Sequence, residues 1–326
     1  MKCISRRYRK RIYGLIAICI AVVTLSGCKP EEIEVTSYET ANYNAGLYRG
    51  KLFTDILCVP SADTKTENST ITAIKSAGLF DLNNNRVIYA QNVNNQVFPA
   101  STTKIMTALV ALESGNLDDV VTVSQNADSG TFAADESTCG LLAGDQVTLR
   151  NLLYALTLNS GNDAAVAIAE HVGGTVEDFC EMMNQKAKSI MATHTHFTNP
   201  HGLHDDDHYT TAYDLYLTFN AAIAHDEYVK ILKTESYDMQ LSGADGAART
   251  IKCEPTNQYS LGETKQPTAA TVLGGKTGTT NQAGYCLVAY DEDSSQNPYI
   301  SIIMGADTKP LLYTNMTSLV EIIGSE

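Results

Sequence analysis

The chain has 326 residues, with 23 Lys+Arg against 37 Asp+Glu and a formal net charge of −14, a balance that repels phosphate backbones and argues against nucleic acid as a partner. Its eight cysteines include no C-x-x-C pair, which argues against a cysteine zinc site and a thioredoxin-like dithiol. The length suits one large domain, or two lobes, behind a leader.

The leader is residues 1–27. Lys2, Arg6, Arg7, Arg9, Lys10 and Arg11 form a basic start without an acid, and an apolar run of 14 positions (12–25) follows. These are the parts of a secretory signal, and the run falls short of the roughly 20 residues a spanning helix needs. Leu25-Ser26-Gly27-Cys28 resembles a bacterial lipobox, with Cys28 as the lipidated first residue of the mature chain. An uncleaved anchor, or a cut elsewhere, would leave the protein on the same outer face. Loss of the leader leaves 17 basic and 37 acidic residues, a net charge of −20. Such a chain is repelled by anionic lipid, so a covalent anchor is the better membrane attachment. Cys58, Cys139, Cys180, Cys253 and Cys286 remain, an odd number without close pairs, and they read mostly as small buried side chains.

Residues 28–72 read as a tether, partly packed near 52–59, and 73–326 as the folded domain. A hairpin opens it: 77–81 and 86–89 flank Asn83-Asn84-Asn85, and Asn tolerates the positive φ of tight turns. After Pro99, the apolar face of Ile105, Met106, Leu109, Val110 and Leu112 predicts a helix ending near Gly115. Thr148 reads as the cap of a second helix carrying Leu149, Leu152, Leu153 and Leu156. Thr175 with Asp178, and Thr211 with Asp214, repeat the polar-x-x-acid start of a capping box. Strands return at 269–274, 286–290 and 299–305, and 312–323 reads as a closing helix. Strands at both ends with helices between predict an α/β (α+β) fold, an antiparallel sheet flanked by helices with an inserted helical lobe at about 115–245.

Three short elements carry chemistry: Ser101-Thr102-Thr103-Lys104, Ser160-Gly161-Asn162 and Lys276-Thr277-Gly278-Thr279. Singly each is a commonplace string; together, in this order and behind an export signal, they form a set. A serine hydroxyl needs a neighbouring base before it attacks. Three residues along a helix, Lys104 lies on the face of Ser101, and burial beside other cations makes a lysine basic enough in its neutral form to serve. Ser101 also falls at a helix start, where N–H groups favour developing negative charge. Ser160 and Asn162 occupy the link between two helices. A hydroxyl there can pass a proton to a leaving amine, and the amide can hold a substrate carbonyl or Lys104. Lys276–Thr279 reads as an edge strand after a break at Gly274-Gly275. It can align an extended peptide by main-chain pairing, while Lys276, Thr277 and Thr279 bind a terminal carboxylate.

From about residue 77 onward the chain resembles the low-molecular-mass penicillin-binding proteins that act as D-alanyl-D-alanine carboxypeptidases, the S11 peptidase type. The segments Phe98-Pro99-Ala100-Ser101-Thr102-Thr103-Lys104-Ile105-Met106-Thr107-Ala108, Leu158-Asn159-Ser160-Gly161-Asn162-Asp163-Ala164-Ala165, Thr195-His196-Phe197-Thr198-Asn199-Pro200-His201-Gly202-Leu203 and Gly275-Lys276-Thr277-Gly278-Thr279-Thr280 are similar to that family's. The resemblance implies a β-lactamase/transpeptidase-like fold and an acyl-enzyme at Ser101. It implies release of the terminal D-alanine from peptidoglycan stem peptides ending D-Ala-D-Ala, and covalent inhibition by β-lactam antibiotics. The oxyanion hole would be the N–H groups of Ser101 and Thr279, and no cofactor or metal is called for. Many members continue into a small β-domain and a C-terminal amphipathic membrane helix; here an N-terminal lipid on Cys28 would serve instead. Many also carry another residue in place of Thr279.

Rival readings differ in particular residues. A class A β-lactamase usually shows Ser-Asp-Asn and needs a deacylating Glu, whereas here the middle residue is Gly161 and 194–203 holds no acid. A DD-endopeptidase cutting cross-links would use the same catalytic set. His194, His196, His201, His204 and His208 beside Asp205, Asp206 and Asp207 could hold zinc, but they form no H-E-x-x-H helix and are broken by Pro200 and Gly202. A non-catalytic, wall-binding lipoprotein would not need the whole set Ser101, Lys104, Ser160, Asn162 and Lys276.

Overall fold

The computed structural model describes residues 57–64 and 71–325; the leader, Cys28 and most of the expected tether lie outside them. The part of the tether that is described is packed. Cys58 is fully buried, its N–H donates to the Tyr216 hydroxyl, and Thr64 bridges to Ala90. The folded domain therefore begins before residue 73.

β1 (Ser76–Asp81) and β2 (Arg86–Gln91) form the expected hairpin. Asp81 holds its turn by accepting from the N–H groups of Asn83 and Asn84, and Asn85 takes the positive φ. A 3₁₀ turn (Ala100–Thr103) runs into α1 (Lys104–Ser114). Short β3 (Val120–Thr122) and β4 (Gln146–Thr148) precede α2 (Leu149–Thr157), α3 (Asn162–Gly173) and α4 (Val176–Ser189). Then come α5 (Ala212–Ile223), α6 (Asp226–Leu232), β5 (Tyr237–Ser242) and β6 (Ala248–Cys253). β7 (Ala270–Thr280), β8 (Gly284–Asp293), β9 (Pro298–Ala306) and α7 (Lys309–Val320) complete the domain. Thr148, Thr175 and Thr211 each accept an N–H from the residue three positions on, a cap worth about 1 kcal/mol.

The main sheet is antiparallel, in the order β2-β1-β9-β8-β7, so β7 is an edge strand. Alternation along β9 shows how both faces are used. Ile300, Ile302 and Met304 join the large core beneath the helices, while Tyr299 and Ile303 join a second core with Leu312, Met316, Leu319 and Val320 of α7. The result is three layers, with the sheet between α7 and the helical lobe. The lobe is not purely helical. β3-β4-β5-β6 form a second four-stranded antiparallel sheet, because the chain returns after α6 to pair with strands too short to show a period in sequence. β7 also runs through Gly274-Gly275, with a bulge after Val272, instead of breaking there. Among the described residues no helix is long and apolar enough to cross a membrane. Cys58, Cys180, Cys253 and Cys286 are buried thiols, and Cys139 is half-buried.

Candidate active site

Pro99 fixes the chain ahead of the 3₁₀ turn, where Ala100 adopts a positive φ of 49° and the Thr102 hydroxyl donates to the Pro99 carbonyl. In a 3₁₀ turn, positions three apart eclipse one another. Lys104 Nζ therefore lies 3.0 Å from Ser101 Oγ. Two side contacts brace the turn. His208 Nδ1 accepts from the Thr198 N–H, so its Nε2–H donates to Thr103 Oγ1 at 2.8 Å, and Thr107 donates to the Pro200 carbonyl. Burial is the main cause that lowers the His208 pKa to about 4 and that of His201 to about 3, so both rings are neutral at ordinary pH. Gly202 permits this packing: at φ +91°, a Cβ would stand 1.9 Å from the Ala100 carbonyl oxygen.

Lys104 is 1% exposed. Burial first, and the Lys276 charge second, hold its amine well below the usual lysine range, with Asp163 opposing. A neutral amine has two hydrogens and one lone pair. Nζ faces two carbonyl oxygens that can only accept, Asn162 Oδ1 and the His201 main chain, each at 2.7 Å. These consume the hydrogens and leave the lone pair for the Ser101 hydroxyl.

The second element is set by the link between α2 and α3. Ser160 takes a φ of 60°, a strained conformation for a residue with a Cβ, and Gly161 is the N-cap of α3. Asp163 anchors the loop above. Its carboxylate accepts from the N–H groups of Cys139, Gly140 and Leu141, while the Asn162 N–H donates to the Ser137 carbonyl. This holds Ser137 on the rim of the cleft.

β7 supplies the third element. Lys276, fully buried, donates to Ser160 Oγ at 2.8 Å and to the Thr277 carbonyl at 2.9 Å; burial lowers its pKa to about 7. Gly278 lies flat against the nucleophile turn, where a Cβ would be 2.9 Å from both the Ser101 nitrogen and the Pro99 oxygen. The unpaired side of the edge strand borders a cleft of about 220 Å³ lined by Ser101, Ser160, Thr277, Gly278 and Thr279. The structure thus brings together Ser101, Lys104, Ser160, Asn162 and Lys276, and sets Thr277, Gly278 and Thr279 along one wall. Cys28 lies outside the described residues.

Ser137, Thr256, Lys309 and Tyr313 also line this cleft. Sequence reading missed them because no motif contains them. Thr256 Oγ1 is 2.6 Å from Thr277 Oγ1, and the exposed Lys309 at the start of α7 adds a cation to the cleft lining. The arrangement can activate Ser101, deliver a proton through Ser160 and offer hydroxyls and a cation on the cleft wall, from Thr277, Thr279 and Lys309, to a carboxylate.

Comparison with known proteins gives a consistent picture. A family model described as D-alanyl-D-alanine carboxypeptidase, Peptidase S11, matches residues 62–308. The D-alanyl-D-alanine carboxypeptidase DacF of Bacillus subtilis is 30% identical over 276 residues, 82% of this chain and 67% of that protein. DacA of Haemophilus influenzae is 35% identical over 237 residues, 71% of this chain and 56% of that protein. The chain thus spans between about half and two thirds of the length of these relatives. The crystal structure of the Streptomyces K15 DD-transpeptidase superposes with a TM-score of 0.73 at 27% identity, covering 79% of this chain and 100% of that one. Penicillin binding protein 5 from Haemophilus influenzae gives 0.66 at 32% identity, covering 80% and 71%.

Proposed function

The chain belongs to the D-alanyl-D-alanine carboxypeptidase family, Peptidase S11, and we propose that it is a serine carboxypeptidase removing the terminal D-alanine from peptidoglycan stem peptides that end D-Ala-D-Ala. The observation that carries this reading is the buried Lys104 amine, whose Nζ stands 3.0 Å from Ser101 Oγ and 2.7 Å from each of two carbonyl oxygens, Asn162 Oδ1 and the His201 main chain.

The reaction follows from the placement. Lys104 takes the Ser101 proton as Oγ attacks the carbonyl of the penultimate D-alanine. The oxyanion forms against the N–H groups of Ser101 and Thr279. The leaving D-alanine has its carboxylate toward Thr277 and Lys309, countered by the charge of Lys276. Ser160 passes a proton to the departing nitrogen and takes one from Lys276, which donates to its Oγ. Water then releases the acyl group, with Lys104 returning its proton to Ser101 Oγ and the proton of the water recharging Lys276 through Ser160. A β-lactam presents a carboxylate and a strained amide in the same relation, and acylates Ser101 as a covalent inhibitor.

The same reading places the protein outside the cytoplasmic membrane, tethered by lipid on Cys28. The basic start, short apolar run and Leu25-Ser26-Gly27-Cys28 support it. Fatty-acid labelling that survives Cys28→Ser removes this part of the proposal.

The decisive experiment incubates the protein with labelled penicillin and with a peptide ending D-Ala-D-Ala, and identifies products by mass. Expected are one adduct on Ser101, free D-alanine, and loss of both in Ser101→Ala. Labelling that persists in Ser101→Ala overturns the nucleophile.

A further inference from the structure

Thr256 and Thr277 meet hydroxyl to hydroxyl at 2.6 Å on the wall of the cleft. We propose that Thr256 is a positioning residue: its hydroxyl turns the single hydrogen of Thr277 toward the ligand, and so biases the cleft toward a free carboxylate over an esterified one. The inference rests on the proposed function, because that reading makes Thr277 a contact of the substrate carboxylate.

Counting protons gives the direction of the bond. A hydroxyl owns one hydrogen and accepts on its lone pairs. At 2.6 Å one of the two hydrogens lies between the oxygens, a normal O–H···O length, and either threonine could supply it. A bound carboxylate removes the ambiguity. Its oxygens only accept, so Thr277 donates to the ligand and Thr256 donates to Thr277. The bond entering the Thr277 oxygen polarises its O–H and strengthens the bond leaving it, and that second bond is charge-assisted. An ester offers an acceptor without the charge and gains less from the relay.

Thr256 is able to hold this direction because the segment that follows it is fastened on several sides. Asn257, 1% exposed, accepts the N–H groups of Tyr259 and Ser260 on Oδ1 and donates to Ser260 Oγ. The Gln258 N–H donates to the Tyr313 hydroxyl. Tyr259 donates to the Tyr313 carbonyl and lies 2.7 Å from Thr317 Oγ1. Thr256 thus begins a turn riveted to α7, the helix that also brings Lys309 and Tyr313 to the cleft. Its hydroxyl is placed before any ligand arrives, and Thr277 is placed by the pairing of β7 with β8.

The test measures acylation of Ser101 by penicillin and by penicillin methyl ester. Thr256→Val keeps the shape and removes the hydroxyl. It is expected to lose roughly tenfold in the second-order rate with penicillin, the scale of one hydrogen bond to a charged group, while the ester rate stays within about twofold of the parent. Thr256→Ser keeps the hydroxyl but loses the methyl, and is expected to return to within about twofold of the parent on penicillin. In a Thr277→Val background, adding Thr256→Val is expected to cost nothing further, because the two residues act as one unit. Equal losses on acid and ester, a serine variant as slow as the valine one, or additive losses in the double variant each overturn the proposal and leave the carboxypeptidase reading standing. A parent that penicillin does not label at all sinks that underlying reading as well.

Discussion

Lys276 Nζ stands 2.8 Å from Ser160 Oγ, joining an edge strand to the link between two helices across 116 positions of sequence. Burial lowers that lysine to about 7 from an ordinary 10.5, so its charge is lost within the working range. In the proposed reaction the charged form counters the leaving-group carboxylate. Acylation by a carboxylate-bearing substrate is therefore expected to fall as pH rises through about 7, as a single deprotonation. Lys276→Arg keeps the charge at every accessible pH and is expected to move that limb upward by about 2 units or more. The check is the kcat/KM profile from penicillin acylation; superimposable limbs in the two proteins would refute the assignment.

Asn162 carries a different consequence. Its Oδ1 takes one hydrogen of the Lys104 amine at 2.7 Å and thereby helps aim the lone pair. Asn162→Ala is expected to slow penicillin acylation by about 10²–10³-fold, the scale of a misplaced general base. Asn162→Asp sets a carboxylate against the same amine, raises its pKa and moves the rising limb of the profile to higher pH. An unaltered rising limb in Asn162→Asp would show that Lys104 is not the group titrating there.

Gly202 joins fold to chemistry through close approach. At φ +91°, with a Cβ position 1.9 Å from the Ala100 oxygen, Gly202→Ala must push the 199–203 loop off the nucleophile turn. Expected are a loss of about 2–4 kcal/mol in stability and acylation impaired beyond what the fraction unfolded explains, since the His201 carbonyl that holds Lys104 sits next door. Thermal melting and penicillin labelling at a temperature where the variant is fully folded separate the two effects. Full labelling speed in the folded variant would remove the coupling.

What was legible in the sequence was local. The hairpin turn, the threonine caps and the three motifs each need only a few neighbouring residues to state their chemistry. Ser137, Thr256 and Lys309 were invisible for the opposite reason: each is an ordinary loop or helix-start residue, brought to the cleft by long-range packing. The anchoring of Ser137 through Asp163 joins segments more than 20 residues apart. Gly274-Gly275 misled for a physical reason too. The pair looks like a break, but a Cβ at Gly274 would stand 2.1 Å from the Leu232 oxygen and one at Gly275 2.4 Å from the Val288 oxygen. The glycines let neighbouring backbone lie against a continuous strand. The three-residue strands β3 and β4 carry too few side chains to display alternation, so the second sheet was read as part of a helical lobe.

Asp291 gives a stability prediction independent of catalysis. It is fully buried between the main sheet and α7, and neither its carboxylate oxygens nor the Ser301 hydroxyl has a hydrogen-bond partner. Burial raises its pKa from 3.8 to about 7; nearby Ser301 eases that shift, though no hydrogen bond closes between them. In the fold the carboxyl stays neutral up to about pH 7, whereas in the unfolded chain it ionises above about 3.8. Its contribution to stability is therefore full below about pH 3.8, falls as pH rises toward about 7, and is level above that. The loss amounts to a few kcal/mol, at about 1.4 kcal/mol per pKa unit. Asn is nearly isosteric and never ionises, so Asp291→Asn is expected to melt several degrees higher than the parent at pH 8, with the gain shrinking toward pH 4. Melting curves of both proteins across that range are the measurement, and a gain equal at pH 4 and pH 8 would mean that ionisation of Asp291 is not its cause.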